Sequence, residues 1–213
     1  REDRELARII ALLHDIGRFE QIRQFDSFMP DTMDHAAYGV EMLFGEAPDC
    51  PPRMIRQFLK EDTWDDIIRT AIAKHSDFLL EGIEDKRILL HAKIIRDADK
   101  LDNCRVKLVD DFETFMDATA EETGASAITP KVRADAFSGK SILSSDRETP
   151  MDYWIAYLAY FYDLNFQESL DIVAEKDYIS RLIHRISYSN AETRETMEEL
   201  EKRLLAYVHG AYV

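Results

Sequence analysis

Leu6-Ala7-Arg8-Ile9-Ile10-Ala11-Leu12-Leu13-His14-Asp15-Ile16-Gly17-Arg18 is the stretch that decides how this chain is read. Leu6, Ile9, Ile10, Leu13 and Ile16 recur at helical spacing and make one apolar stripe. An imidazole and a carboxylate, His14 and Asp15, stand side by side at its end. Gly17 is expected to interrupt the helix, and residues 19–25 to continue the stripe. The same period governs the rest of the chain. Gly (7) and Pro (6) are sparse and strand-like alternation is nearly absent, so the spacing predicts an all-α fold.

Outward from that stretch, Pro30 and Asp31 mark a loop, and Asp34 is the expected N-cap of a helix reaching Phe44. Pro48, Pro51 and Pro52 break the chain, with Pro52 suited to the first turn of a short helix ending at Lys60. Helices are predicted over 65–75 and from 85 to 101 or beyond, with 110–117 continuing in helical spacing. Residues 119–150 hold most of the Ser, Thr and Gly of the second half. They read as a loop excursion with one short helix near 131–137. Four more helices are predicted over 152–162, 166–175, 178–187 and 192–209. The dense set Tyr153, Trp154, Tyr157, Tyr160, Phe161 and Tyr162 reads as a helix buried on most sides, although a homodimer interface would use the same side chains. The domain reading is a single all-α domain over 1–213: a core over 1–115, the excursion, and added C-terminal helices over 151–213.

Charge narrows the function classes. Lys and Arg total 27 against 42 Asp and Glu, a formal charge of −15. Binding a nucleic-acid polymer needs a basic face that displaces counterions, and docking on anionic lipid needs the same sign. A small phosphorylated substrate stays compatible, because a pocket can be locally positive on an acidic protein. No apolar run reaches the roughly 18–20 residues of a membrane span. The charged Arg1-Glu2-Asp3-Arg4-Glu5 is no signal peptide, and Cys50 and Cys104 form no CxxC motif, so a cytoplasmic setting is expected. Ser138-Gly139-Lys140-Ser141 is no phosphate-binding loop, since Ala134 stands where that motif needs Gly and no strand precedes it.

Four segments concentrate imidazoles and carboxylates against apolar helix faces. His14-Asp15 closes the first helix, Asp34-His35 opens the next long one, His75 ends another, and Asp97, Asp99 and Asp102 fall within six positions. Burying such groups is costly unless they pair or bind a cation. Imidazole with carboxylate is a ligand set for divalent Fe, Mn, Zn, Ni or Mg. Adjacent helical residues diverge by about 100°, so His14 and Asp15 can flank a metal from one stretch of backbone. A carboxylate has two oxygens, so Asp15 can bridge two ions about 3.5–4 Å apart, a clamp that activates water and stabilises phosphoryl oxygens.

At these residues the chain resembles the HD-domain superfamily of metal-dependent phosphohydrolases, over roughly residues 1–115. Leu13-His14-Asp15-Ile16-Gly17-Arg18 is similar to the family's His-Asp doublet, and Asp99, within Asp97-Ala98-Asp99-Lys100-Leu101-Asp102, to its later metal-binding Asp. His35 and His75 match the two extra histidines of the dinuclear branch. The resemblance implies an HD-domain-like helical bundle and one or two divalent ions held by His14, Asp15, His35, His75 and Asp99. It implies attack of a metal-bound hydroxide on a small phosphomonoester or phosphodiester such as a nucleotide. A nucleotide-binding regulatory domain without turnover and a di-iron oxygenase are the alternatives within the same fold.

Two departures bear on the site. The family places a first histidine well upstream of the doublet, whereas only 13 residues precede His14 and none is His. That ligand is expected in sequence preceding Arg1, with His91 as the alternative. Arg18 stands three residues after Asp15, where the mononuclear branch has an acid and the dinuclear branch tends to have a phosphate-binding Lys. Asp15, Arg18 and Lys100 are therefore the expected catalytic residues, and Arg18, Lys100 and Lys74 the expected phosphate contacts. Glu20 and Gln21 are expected to support the ligands, Asp34 to cap its helix, and His184 and His209 to be structural.

Overall fold

The structure is a computed structural model that describes residues 1–28, 32–45 and 51–210. The expected breaks at Pro30, Asp31 and Pro48, and Cys50, lie outside the described residues. Every regular element among the described residues is helical. The chain divides into two compact units, residues 1–99 and 100–213, where the sequence reading drew one domain with its core ending near 115.

The first unit holds α1 (Glu2–Leu13), α2 (Ile16–Phe25), α3 (His35–Phe44), a 3₁₀ turn (Met54–Gln57), α4 (Asp65–Ala73) and the start of the long α5 (Lys86–Val109), which runs on into the second. Leu6, Ile10 and Leu13 of α1 are buried, together with Leu43, Ile55, Ile68, Ile72 and Ile95. Each such side chain contributes about 1.5–3 kcal/mol on leaving water. The helix starts follow local chemistry. Asp34 caps α3 by accepting from Ala37 N at 2.9 Å. Asp85 caps α5 by accepting from Arg87 N and Ile88 N at 2.8 and 2.9 Å.

Gly17 does not interrupt the first helix. The break lies one turn earlier, at His14 and Asp15, and Gly17 is buried inside α2. Its lack of a side chain serves packing: a Cβ there would stand 2.1 Å from His35 O and 2.9 Å from Gly39 N. The short helix expected up to Lys60 shrinks to the 3₁₀ turn, because Arg53 sits in the left-handed region at φ 51° and separates Pro52 from Met54. α4 stops at Ala73, so His75 lies just past the helix end.

The second unit adds α6 (Ala120–Ala125), α7 (Pro130–Phe137), α8 (Pro150–Ala159), α9 (Gln167–Glu175), α10 (Tyr178–Ile183) and α11 (Ala191–Val208). Residues 119–150 are not the loop excursion expected: they contain two helices, and Val132, Ala136 and Ile142 are buried in this unit's core. The polar composition that suggested a loop is spent on helix starts. Thr119, Thr129 and Thr149 are N-caps that accept from the backbone N–H of Glu122, Val132 and Asp152, and Pro130 and Pro150 occupy first-turn positions. Residues 110–117 form only a 3₁₀ turn (Phe112–Thr114), since Arg185 donates to the carbonyls of Lys107 and Asp110 where α5 ends. The aromatic helix is core, with Trp154 and Phe161 buried and Phe112 and Phe115 packed on the Trp154 ring. Cys104 is a buried free thiol. No helix among the described residues is long and apolar enough to cross a membrane.

The Gly17 contact gives a direct test. Gly17→Ala should lower unfolding free energy by about 1–3 kcal/mol, the usual range for an overpacked position, read from the urea midpoint. An unchanged midpoint would mean that α2 and α3 have room to spare.

Candidate metal centre

Helix ends deliver the cluster. His14 follows the last residue of α1, Asp15 leaves helical geometry at φ −100° and ψ 15°, His35 is the first residue of α3, and His75 lies two residues past α4. Asp99 comes from within α5. All five belong to the first unit.

Two rings are fixed by the same device. His14 Nδ1 lies 2.9 Å from Ala11 O and His75 Nδ1 lies 2.7 Å from Ile72 O, each three residues back at the helix end. A carbonyl only accepts, so Nδ1 carries the proton in both rings and Nε2 is left with its lone pair toward the cluster. His35 Nε2 lies 3.1 Å from His75 Nε2. Asp15 Oδ1 is 3.2 Å from His35 Nε2 and 3.5 Å from His75 Nε2, while Asp15 Oδ2 and Asp99 Oδ1 are each 3.7 Å from His14 Nε2. Asp15 thus turns one oxygen to His35 and His75 and the other to His14.

Two of the polar atoms that converge here are left unsatisfied. His14 Nε2 and Asp15 Oδ1 are both buried and have no hydrogen bond of good geometry. Two imidazole nitrogens at 3.1 Å cannot both present lone pairs unless a proton or a cation lies between them. Ligand atoms of His14, Asp15 and His75 lie within 4.8 Å of one another. The donor set and its unmet valences therefore fit a divalent ion, with His14, Asp15 and His75 as the candidate ligands.

Electrostatics points the same way. Burial works to raise the Asp15 pKa, but His35, His75, His14 and Arg18 outweigh it and hold the carboxyl well below the usual range. Asp99 is likewise lowered: burial opposes ionisation, and His14 and His75 overcome it. Burial disfavours a charge on His14, yet Asp99 and Asp15 raise its pKa above the ordinary imidazole value. His35 is pushed down, by burial first and then by Arg18 and His75, against the pull of Asp15.

The remaining expected residues separate. Arg18 stands on the cluster, with Nε 3.5 Å from Asp15 Oδ1 and NH1 donating to Gln21 Oε1 at 3.0 Å and Phe28 O at 3.3 Å. Gln21 is fully buried, accepts from the guanidinium and also donates to Thr32 Oγ1 at 2.8 Å. Glu20 pairs with Arg23 and Gln24. Lys74 is drawn to Asp77 at 3.2 Å, and Lys100 to the carboxylate and carbonyl of Asp163. His91 is buried against Asp3, with Nε2 3.1 Å from Oδ1. Asp3 is eleven residues before His14, about 16 Å along α1 by helical rise, so His91 is no substitute ligand. His184 pairs with Glu201 at 3.0 Å, and Asp102 with Arg105.

One residue of consequence went unmarked in the sequence. Arg96 is 3% exposed and donates to the carbonyls of the segment that carries His75. An arginine directly after Ile94 and Ile95 and three residues before Asp99 was the available signal.

With the geometry in place, comparison with protein families finds that the HD-domain family model matches residues 1–104. Comparison with curated proteins and with solved structures gave no match.

An NMR pH titration of metal-free protein checks the electrostatics. His14 should titrate above the ordinary 6.5 and His35 below it. By linkage, the His14 contribution to stability is complete below 6.5 and is lost as pH rises through its raised value. The His35 contribution is present above 6.5 and is lost as pH falls through its lowered value. The reverse order of the two titrations would refute the assigned charge balance.

Proposed function

Residues 1–104 belong to the HD-domain family, whose members are mostly metal-dependent hydrolases, and from that premise we propose that this chain hydrolyses a small phosphate ester at a two-ion centre. The observation that supports this reading best is the convergence of His14, His35 and His75 on the two oxygens of Asp15. His14, Asp15 and Asp99 would hold one ion, and Asp15, His35 and His75 the other. When bound, such ions lower the pKa of water and offset charge on phosphoryl oxygens.

The chain's own residues supply the rest. The Nδ1 bonds to Ala11 O and Ile72 O keep the His14 and His75 lone pairs aimed inward. Arg18 is the phosphate contact in this reading. Its guanidinium is anchored on one side by Gln21 and Phe28 O, and its planar fork has further N–H groups to give a phosphate. Lys74 and Lys100 would have to leave Asp77 and Asp163 to do the same, so Arg18 is preferred over both. A nucleotide is the proposed substrate class: bound ions together with Arg18 would make the site locally positive on a chain of charge −15.

The test is a panel of phosphomonoesters, phosphodiesters and nucleotides assayed with protein stripped and then loaded with Mn, Fe, Ni, Zn or Mg. Turnover of at least one ester is expected. Asp15→Asn should lower kcat/KM by about 100-fold or more, and Arg18→Ala should act mainly on KM, by about 10- to 100-fold. No turnover with any metal across the panel would overturn the reading.

A further inference from the structure

Arg96 is a buried charge that the proposed reaction leaves without a task. It lies on α5 at 3% exposure. Its NH1 donates to Lys74 O and His75 O at 3.3 Å each and to Asp77 O at 2.5 Å, and NH2 reaches Phe78 O at 3.5 Å. All four acceptors come from residues 74–78, the segment that leaves α4. Helix ends expose carbonyls with no partner in the helix, and an arginine fork is well shaped to collect several at once. The segment's own backbone bonds are Lys74 N to Thr70 O at 3.1 Å and, longer, His75 N to Ile72 O and Asp77 N to Lys74 O at 3.4 Å each. Arg96 adds its own restraint to these, with the short contact to Asp77 O as its firmest point.

His75 is the second residue of that segment. Its ring is pinned from one side by Ile72 O, and its carbonyl from the other by Arg96. Asp99 lies three residues beyond Arg96, on the same face of α5. One side chain thus ties the main chain of one ligand to the helix that carries another. We propose that Arg96 is a positioning residue: it sets where His75 stands relative to Asp99 and Asp15, and through that the affinity and geometry of the ion held by Asp15, His35 and His75. The inference rests on the two-ion reading above.

Cobalt binding tests it without recourse to turnover. Stripped wild type, Arg96→Met, Arg96→Lys, His75→Ala and the His75→Ala/Arg96→Met double variant are titrated with Co²⁺ while visible absorption is recorded. Metal-free thermal unfolding and circular dichroism run alongside. Met keeps the length and removes the donors; Lys keeps the charge without the fork. Arg96→Met should bind its weaker Co²⁺ equivalent about 10- to 100-fold less tightly, as when a group orienting a ligand is lost, with altered visible bands. Arg96→Lys should fall between Met and wild type. In the His75→Ala background, Arg96→Met should add no further loss. Wild-type affinity and spectrum in Arg96→Met would overturn the proposal, as would an equal added loss in the His75→Ala background, which marks general destabilisation. If Arg96→Met does not fold, a wild-type spectrum and affinity in Arg96→Lys overturns it instead. A wild type that binds no Co²⁺ defeats the two-ion reading and this inference with it, whereas binding that ignores every Arg96 change defeats this inference alone.

Discussion

Asp15 brings a carboxylate oxygen into a space it shares with two imidazole nitrogens, and that crowding is the constraint on which the first unit is built. An ionised oxygen removed from water is tolerated only where positive charge or donors surround it. Around Asp15 these are three rings and one guanidinium, from the end of α1, the start of α3, the segment after α4 and from α2. Asp99 adds a second negative charge beside His14. Two divalent ions would bring about +4 to this carboxylate pair, leaving net positive charge beside Arg18. With such ions in place the formal −15 of the chain would belong mainly to its outward helix faces, and the centre would be a local exception to it.

Bringing four helices to one point takes closeness at that end and fastening at the other. Closeness comes from the pair Gly17 and Gly39, where α2 and α3 touch backbone to backbone. Fastening comes from the start of α1. Glu2 accepts from Trp64 Nε1 at the head of α4, and Asp3 accepts from Arg87 of α5 and lies against the buried His91. Both ends of α1 are therefore committed, one to polar clasps and the other to the cluster, with Leu6, Ile10 and Leu13 buried between. The helix has little freedom to slide along its axis without breaking one set or the other.

Much of this was legible in the residues. Helical periodicity gave the fold class, the Asp34 cap held in detail, and the five expected metal ligands gather in one place. What was not legible has physical reasons. Thr119, Thr129 and Thr149 read as loop by composition, but the same hydroxyls that disfavour helix interiors stabilise helix starts, and composition does not separate the two uses. Gly17 read as a breaker because its cause, the carbonyl of His35, lies on a different helix. Lys74 and Lys100 were marked by their neighbours in sequence, whereas their charges are drawn to Asp77 and Asp163. Arg96 escaped notice because its acceptors are main-chain carbonyls, which no side-chain pattern reveals.

The paired Nδ1 bonds of His14 and His75 have a consequence for how ions come and go. Each ring is already in one tautomer and one rotamer because its own helix end holds it there. The entropy of ordering these ligands is lost when the chain folds, before any ion arrives. Capture of an ion would then need no ring flip and no migration of a proton from one nitrogen to the other. In the proposed centre release would likewise leave the rings standing in place, held by their own helix ends.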